Sequence, residues 1–232
     1  MVAGLIALFA TSSGYAQTAE SLVQTQGFSF TPNGNVNLTF AQFDDQGGTL
    51  VLTGVEITVT YTKTGGSLSV DNDSSESGSI DLSHTIVGNL TVKSGGVSLI
   101  DNSYQAIGSS LNASSTATTT IGATTGDSTT SYDNTGLSDN WVFSATDVTA
   151  TDSGTILSAL QSAYVGTGNF VLNFAATQTS DIDGLGGVNY ALVNSAISGA
   201  VTVTYTYEVI PEPSSVLLGL GSVGLFFLRR RR

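Results

Sequence analysis

The segment Val55-Glu56-Ile57-Thr58-Val59-Thr60-Tyr61 alternates apolar and polar residues without a fault, and the stretch from Val201 to Val209 does the same. Successive side chains of a β-strand point to opposite faces, so a period of two sends one set of residues into a core and the other into water. Wound into a helix, the same residues would spread their apolar members around the whole circumference. The chain is therefore committed to strands covered on one face, the habit of antiparallel sheets. Val36-Asn37-Leu38-Thr39-Phe40 repeats the pattern, with Phe43 just past its end. Less regular strands are predicted over residues 26–30, 67–70, 79–86, 89–92, 97–99, 141–144 and 169–176. Between them stand Asn33-Gly34, Gly47-Gly48, Gly65-Gly66, Gly95-Gly96 and Gly186-Gly187, pairs suited to turns because positive φ costs glycine little. Helical spacing is confined to residues 155–164, where Ile156, Leu157, Leu160 and Tyr164 can share a face and Asp152 or Ser153 can cap it. Many strands and one short helix predict an all-β fold, an antiparallel β-sandwich of jelly-roll-like form.

Cysteine is absent, so neither a disulfide framework nor a thiolate metal site can be built, and the 40% of hydrophobic residues must hold the fold by themselves. Charged residues make up only 10%, which leaves the wet surface to Thr, Ser and Asn. Four of the six basic residues are Arg229, Arg230, Arg231 and Arg232, so Lys63 and Lys93 alone face the 18 Asp and Glu of the chain. A body this acidic repels nucleic acid and anionic membrane, whose binding needs clustered Lys and Arg. Divalent cations or neutral polysaccharide are compatible neighbours.

Few residues suggest chemistry. His84 is the single histidine; as the base of a Ser-His-Asp triad it would have Asp81 only three residues away and no Gly-x-Ser-x-Gly elbow to serve. It reads as a strand residue at a wet edge, and a metal site of several histidines is excluded. The carboxylate pairs Asp44/Asp45, Asp71/Asp73 and Asp181/Asp183 would need a cleft holding them ~5–10 Å apart to cleave a glycosidic bond. Their Gly, Ser and Asn surroundings read instead as solvated turns, and Trp141 is the single tryptophan that could platform a sugar. No catalytic residue and no metal ligand is assigned. Asp71-Asn72-Asp73-Ser74-Ser75-Glu76 opens like an EF-hand loop, then puts Glu76 where Gly is required and Leu82 where a bidentate Glu is required. That stretch and Asp181-Ile182-Asp183-Gly184 are where a structural Ca²⁺ would be sought; no other cofactor is expected. Thr58, Thr60 and Thr62 on one strand and Thr202, Thr204 and Thr206 on another face water. They make either a binding face for carbohydrate or ice or merely what β-propensity supplies, and no solenoid period accompanies them. Residues 109–135 are hydroxyl-rich and aperiodic, a surface excursion or loosely paired edge strands open to O-glycosylation.

The ends of the chain differ in kind from this body, which spans residues 17–209. Residues 1–16 hold an apolar run from Val2 to Ala10, with no Lys or Arg before it, and then small residues; Gly14 and Ala16 form the small-x-small cleavage site of a signal peptide and would leave Gln17 first. Residues 210–232 carry three parts in order: Pro211, Glu212 and Pro213; an apolar run containing Val216, Leu217, Leu218, Leu220, Val223, Leu225, Phe226, Phe227 and Leu228; and Arg229 to Arg232. The prolines remove backbone donors and keep their neighbours extended, leaving an unpaired strip that an enzyme cleft can grip. At ~1.5 Å per residue the apolar run reaches ~20–22 Å against a hydrocarbon core of ~30 Å, a temporary hold rather than a lasting anchor. The arginines stay on the cytoplasmic side and put everything before Pro211 outside.

This tripartite tail resembles the PEP-CTERM sorting signal of bacterial surface proteins. The resemblance implies that exosortase, a membrane enzyme, recognises Pro211, Glu212 and Pro213 and removes the hydrophobic tail, as happens with other processed C-terminal signals. A second resemblance lies in the body. Phe43, Asp44, Gly48, Thr49 and Leu50, followed by Thr53, Gly54 and Val55, are similar to the opening of the choice-of-anchor E domain, with Val51 and Leu52 as extra residues. Val165-Gly166-Thr167-Gly168-Asn169-Phe170 is similar to that domain's V-G-T-G turn, and the strand from Val201 to Tyr207 to its closing strand. That likeness implies an address and an architecture, not a reaction.

Together these features predict a non-enzymatic exported protein. Its expected partners are the Sec export machinery, exosortase and extracellular polysaccharide, with transient insertion in the inner membrane and no nucleic acid. Its expected place is the cell surface or extracellular matrix, beside exopolysaccharide or biofilm. A carbohydrate-active enzyme, or a carbohydrate- or ice-binding module, is the alternative. A cleft holding two carboxylates and Trp141 would favour the enzyme, and a flat threonine sheet the binding module.

Overall fold

The structure, a computed structural model, describes residues 19–124, 138–193 and 195–210. The elements in chain order are β1 (Ala19–Phe30), β2 (Gly34–Ala41), β3 (Leu50–Thr64), β4 (Ser67–Asn72), β5 (Gly78–Ser94), β6 (Leu111–Ile121), β7 (Asn140–Ser144), β8 (Val148–Thr155), a 3-10 helix (Ser158–Tyr164), β9 (Asn169–Asp183), β10 (Val188–Val193) and β11 (Ala196–Val209). They form an antiparallel sandwich of the expected all-β class. One layer is the long sheet β2-β9-β5-β6; the other is divided into β1-β11-β3-β8 and the smaller β10-β4-β7.

The alternation read from the sequence sets which faces meet. Val55, Ile57, Val59 and Tyr61 of β3 and Val201, Val203 and Tyr205 of β11 turn inward onto Leu38, Phe40, Ile86, Leu90, Leu172 and Phe174 of the facing sheet. The ring of Phe28 stacks on that of Phe174 at 4.6 Å between centroids, a pairing that adds to the area it buries. A second, smaller core gathers Leu68, Val70 and Phe143 from the three-stranded sheet against Ile80, Leu82 and Ile121. The break between the two front sheets falls at Gly65 and Gly66, with φ of 67° and 92°, where the chain passes from β3 to β4.

Several sequence expectations need correction. Residues 79–86 and 89–92 are one strand, β5, because Gly88 continues the ladder instead of ending it. A Cβ there would lie 2.6 Å from Phe174 and 2.8 Å from Tyr61, so the glycine makes room for two rings. Residues 97–99 form no strand, although Val97 and Leu99 are buried. Part of the hydroxyl-rich middle is the regular strand β6, with Leu111, Ala113 and Ser115 turned inward; residues 125–137 lie outside the described residues. The helix is shorter than its pattern and is 3-10, not α: Thr155 closes β8, and the residue ahead of the helix is Leu157, with no side-chain cap. Asp152, read as a cap, lies in β8 and accepts a hydrogen bond from the Gly108 amide. Strand β8 escaped the pattern because small or polar residues occupy so many of its positions, and β10 because its apolar residues run on without alternating.

Candidate functional site

Inside the sandwich, where the two cores meet, the inward places of three strands carry polar groups. Lys63 follows Tyr61 on β3, His84 stands between Leu82 and Ile86 on β5, and Ser115 follows Ala113 on β6. All three are buried. The Lys63 amine donates to Ser115 Oγ at 2.6 Å and to the His84 carbonyl at 3.2 Å, and it lies 3.2 Å from His84 Nδ1. Burial pushes the Lys63 pKa below the usual lysine range, with the charge of Asp147 acting the other way. Burial also lowers His84, the neighbouring Lys63 lowers it further, and the Gln178 side chain opposes them. An amine beside a hydroxyl is a pairing that can activate a serine nucleophile. Here Ser115 is only 6% exposed and donates onward to the Thr146 carbonyl at 3.1 Å, so its oxygen is turned to the interior, where it joins strands. His84 is thus not at a wet edge: β5 has β9 on one side and β6 on the other.

The carboxylate pairs do not converge on a cleft with Trp141. Asp44 and Asp45 cap the amides of Gln46 and Gly47 in a turn, as expected. Asp71, expected in a solvated turn, is a buried member of β4. Asp181 and Asp183 extend β9 as exposed strand residues, with Asp183 paired across to Asp81. Trp141 stacks on Phe143 and packs against the smaller core. In the loop that opens like an EF-hand, Asn72 is buried and closes the turn itself, accepting from the Ser74 amide and donating to the Glu76 carbonyl at 2.8 Å. Among the described residues no three His, Asp or Glu side chains gather as they would around a metal.

Register brings the threonines together. Across β1-β11-β3-β8 the outward residues line up as Thr25–Thr202–Thr58–Ser153, with Gly27–Ala200–Thr60–Thr151 and Ser29–Ser198–Thr62–Thr149 beside it. Neighbouring strands lie ~4.8 Å apart and outward residues repeat every ~6.7 Å along each, so the face is a grid of hydroxyls four strands wide, interrupted at Gly27 and Ala200. Hydroxyl pairs cross it, Thr60 with Thr151 at 3.0 Å and Thr62 with Thr149 at 2.8 Å.

The stretches singled out in the body by their resemblance meet at one corner, where the chain leaves the sandwich. Phe43 bridges Val165, its amide donates to the Tyr164 carbonyl, and its carbonyl accepts from Gly166. The Phe43 ring packs on those of Tyr205 and Tyr207 in the closing strand. Beyond Tyr207, Val209 ends β11 opposite Leu50, and the Ile210 amide donates to the Thr49 carbonyl at 2.9 Å.

Residues 209–232 match the PEP-CTERM protein-sorting motif. The motif implies export, membrane-anchored transit and exosortase as the processing partner. The match takes in the tail and does not extend to the choice-of-anchor E-like stretches. No curated protein matches this chain. Among solved structures the chain is similar to one titled turnip yellow mosaic virus, at 8% identity over 92% of this chain and 94% of that chain with a TM-score of 0.20. A second is titled Desmodium yellow mottle tymovirus, at 7% identity over 90% and 98% with a TM-score of 0.19. A third, the Gx strain of infectious bursal disease virus, shows 12% identity over 91% and 48% with a TM-score of 0.18. At scores this low nothing about this chain follows from them.

Of the PEP-CTERM motif, Val209 and Ile210 belong to the described body. Pro211, Glu212, Pro213, the apolar run to Leu228 and the four arginines lie outside the described residues, as do Gly14 and Ala16. Among the described residues no helix is long and apolar enough to cross a membrane. Sequence reasoning missed the Lys63–His84–Ser115 cluster. A signal was present, since Lys63 and His84 each occupy an apolar place in an alternating strand.

Proposed function

We propose that this chain is a non-enzymatic surface protein that exosortase sorts to the outside of the cell. The signal peptide at residues 1–16 hands it to the Sec machinery. Pro211, Glu212 and Pro213 are the recognition strip, the apolar run from Val216 to Leu228 holds the chain briefly in the inner membrane, and Arg229 to Arg232 fix its orientation. The processed sandwich goes to the cell surface or extracellular matrix, beside exopolysaccharide, as a domain of choice-of-anchor E type. The reading uses no cofactor. The observation that carries it is the motif match over residues 209–232. Glu212→Ala, or loss of the four arginines, is expected to leave tail-bearing protein in the inner membrane, read by fractionation and intact mass. Release of both variants at the parent level would overturn the proposal.

The hydroxyl grid favours a second reading, a carbohydrate- or ice-binding module. Thr58, Thr60 and Thr202 lie on that one face. Substituting all three by Lys is expected to abolish retention on a neutral polysaccharide or an ice surface; retention equal to the parent's would remove this reading.

A further inference from the structure

The matched motif begins inside the fold. Val209 is its first residue and also the last residue of β11. The pairing with β3 then continues one step further, through the Ile210 amide and the Thr49 carbonyl. No slack chain separates the sandwich from Pro211. Three extended residues span at most ~10–11 Å, so an enzyme that grips Pro211, Glu212 and Pro213 works within about that distance of the folded body. A protein-sized enzyme cannot do so without touching the end of the sheet.

That end is unusually apolar for a chain so rich in surface hydroxyls. Val51, Val209 and Ile210 are 41%, 38% and 41% exposed. Val51, which pairs with Glu208, and Ile210, whose amide bonds to Thr49 two residues before Val51, share the outer face. Val209 pairs with Leu50 and turns to the other face. Beside them is a groove of about 390 Å³ lined by Asp45, Leu50, Leu52, Gln161 and Val165 among others. The groove exists because β8 joins β3 only from Glu56 onward, so the first residues of β3 have no strand on that side. The corner is also stiff: the amides of Gly48 and Leu50 both donate to the Asp45 carbonyl. Grouped exposed apolar residues with a polar rim are the composition of a docking surface, whereas apolar residues scattered singly need no explanation.

We propose that this corner, made of Val51, Ile210 and the groove next to them, is a docking surface for exosortase. The enzyme then reads the end of the folded body together with the Pro-Glu-Pro strip. The inference rests on the sorting function proposed above, and it assigns part of the recognition to residues of the sandwich. The occupant of the groove is an apolar element of the membrane enzyme, flanked by hydrogen-bond donors that suit the Asp45 carboxylate.

The test uses the full chain in the cell that produces it, with the rate of tail removal followed by pulse-chase and immunoblot. Three variants are compared with the parent. Val51→Lys places a charge in the patch. An insertion of about six Gly and Ser residues between Ile210 and Pro211 moves the body away while leaving the strip and tail joined. Glu212→Ala disables the strip itself. Both Val51→Lys and the insertion are expected to slow tail removal by about tenfold, the effect of losing one good interface contact. The insertion leaves the sandwich untouched, so its result stands even if Val51→Lys lowers stability. Parent-rate processing of the insertion and Val51→Lys, with Glu212→Ala still retained, would overturn the docking surface and keep the sorting function. Parent-rate processing of all three would overturn both.

Discussion

The amine of Lys63 on β3 lies 2.6 Å from the hydroxyl of Ser115 on β6, so one side chain ties the front layer of the sandwich to the back. The link sits between the two apolar cores and includes His84, so two basic side chains share the dry interior there. A buried amine is weak grounds for stability, because desolvation offsets what its hydrogen bonds contribute.

Lys63→Met should therefore leave stability at neutral pH unchanged or raise it, since an unbranched apolar chain of similar length fills the same space. Ser115→Ala, which leaves the amine with fewer partners, should cost about 1–2 kcal/mol. Urea unfolding of both variants checks the pair, and a loss above ~3 kcal/mol for Lys63→Met would contradict it. The pH dependence has a definite sign. With its folded pKa lowered, Lys63 binds fewer protons in the folded state than in the unfolded state, up to the unfolded value of ~10.4. Its contribution to stability thus rises with pH through that window, and the Met variant should lack that rise.

His84 governs the acid side. Its folded pKa is lowered by burial and by Lys63, so the unfolded chain takes up a proton first as pH falls below ~6.5. Stability should begin to drop there, before the carboxylates titrate. Replacing His84 by Gln should flatten the denaturation midpoint between about pH 7 and pH 5.5, a range set by the ordinary histidine pKa. An unchanged slope in that variant would assign the acid response elsewhere.

Tyr61 is the complementary case. Its hydroxyl reaches the Ile86 carbonyl at 2.7 Å and that of Leu111 at 3.0 Å, linking β3 to β5 and β6. Burial pushes its pKa up to about 12. Burial also raises those of Tyr164 and Tyr205. The folded state then holds its phenolic protons after the unfolded state has released them, so stability should fall as pH rises above ~10. Phenolate absorbance should show these three rings titrating only as the protein unfolds. Tyr61→Phe should cost about 1–3 kcal/mol in thermal or urea unfolding, because the one hydroxyl proton shared between the buried Ile86 and Leu111 carbonyls is lost.

Gly199 is required by close packing. It pairs with Tyr61 on one side and Phe28 on the other, and a Cβ there would lie 2.3 Å from the Thr60 carbonyl and 2.7 Å from the Phe28 ring. Because backbone is the nearer obstacle, relief requires the strands to part. Gly199→Ala should destabilise by about 1–3 kcal/mol, read as a lower denaturation midpoint. The same change at Gly96, where nothing lies within 4 Å, meets no neighbour and is strained only by its φ of 68°, so it is the control for packing.

By itself the sequence determined the class of fold, the inward faces of β3 and β11, and the presence of a sorting tail. Each of these is written locally: a strict period of two in Val55 to Tyr61, a second in Val201 to Val209, and three chemically distinct blocks in order after Ile210. Only the tertiary structure decided the rest. Lys63, His84 and Ser115 are far apart in the chain, and they meet because β3 crosses over β5 and β6 in the opposite layer. The hydroxyl grid depends on the register that sets Thr202 beside Thr58, which one residue of slip would undo. The strands β6 and β8 were hidden because Ala, Ser, Gly and Asp at inward positions give no hydrophobic signal, and neighbours supply the burial their own side chains do not. Strand β10 was hidden because its run of Tyr190, Ala191 and Leu192 does not alternate, and it leaves Tyr190 and Leu192 exposed. Likewise, that the motif opens inside the last strand follows from the pairing of Val209 and Ile210 with Leu50 and Thr49, a contact between distant segments that no local pattern encodes.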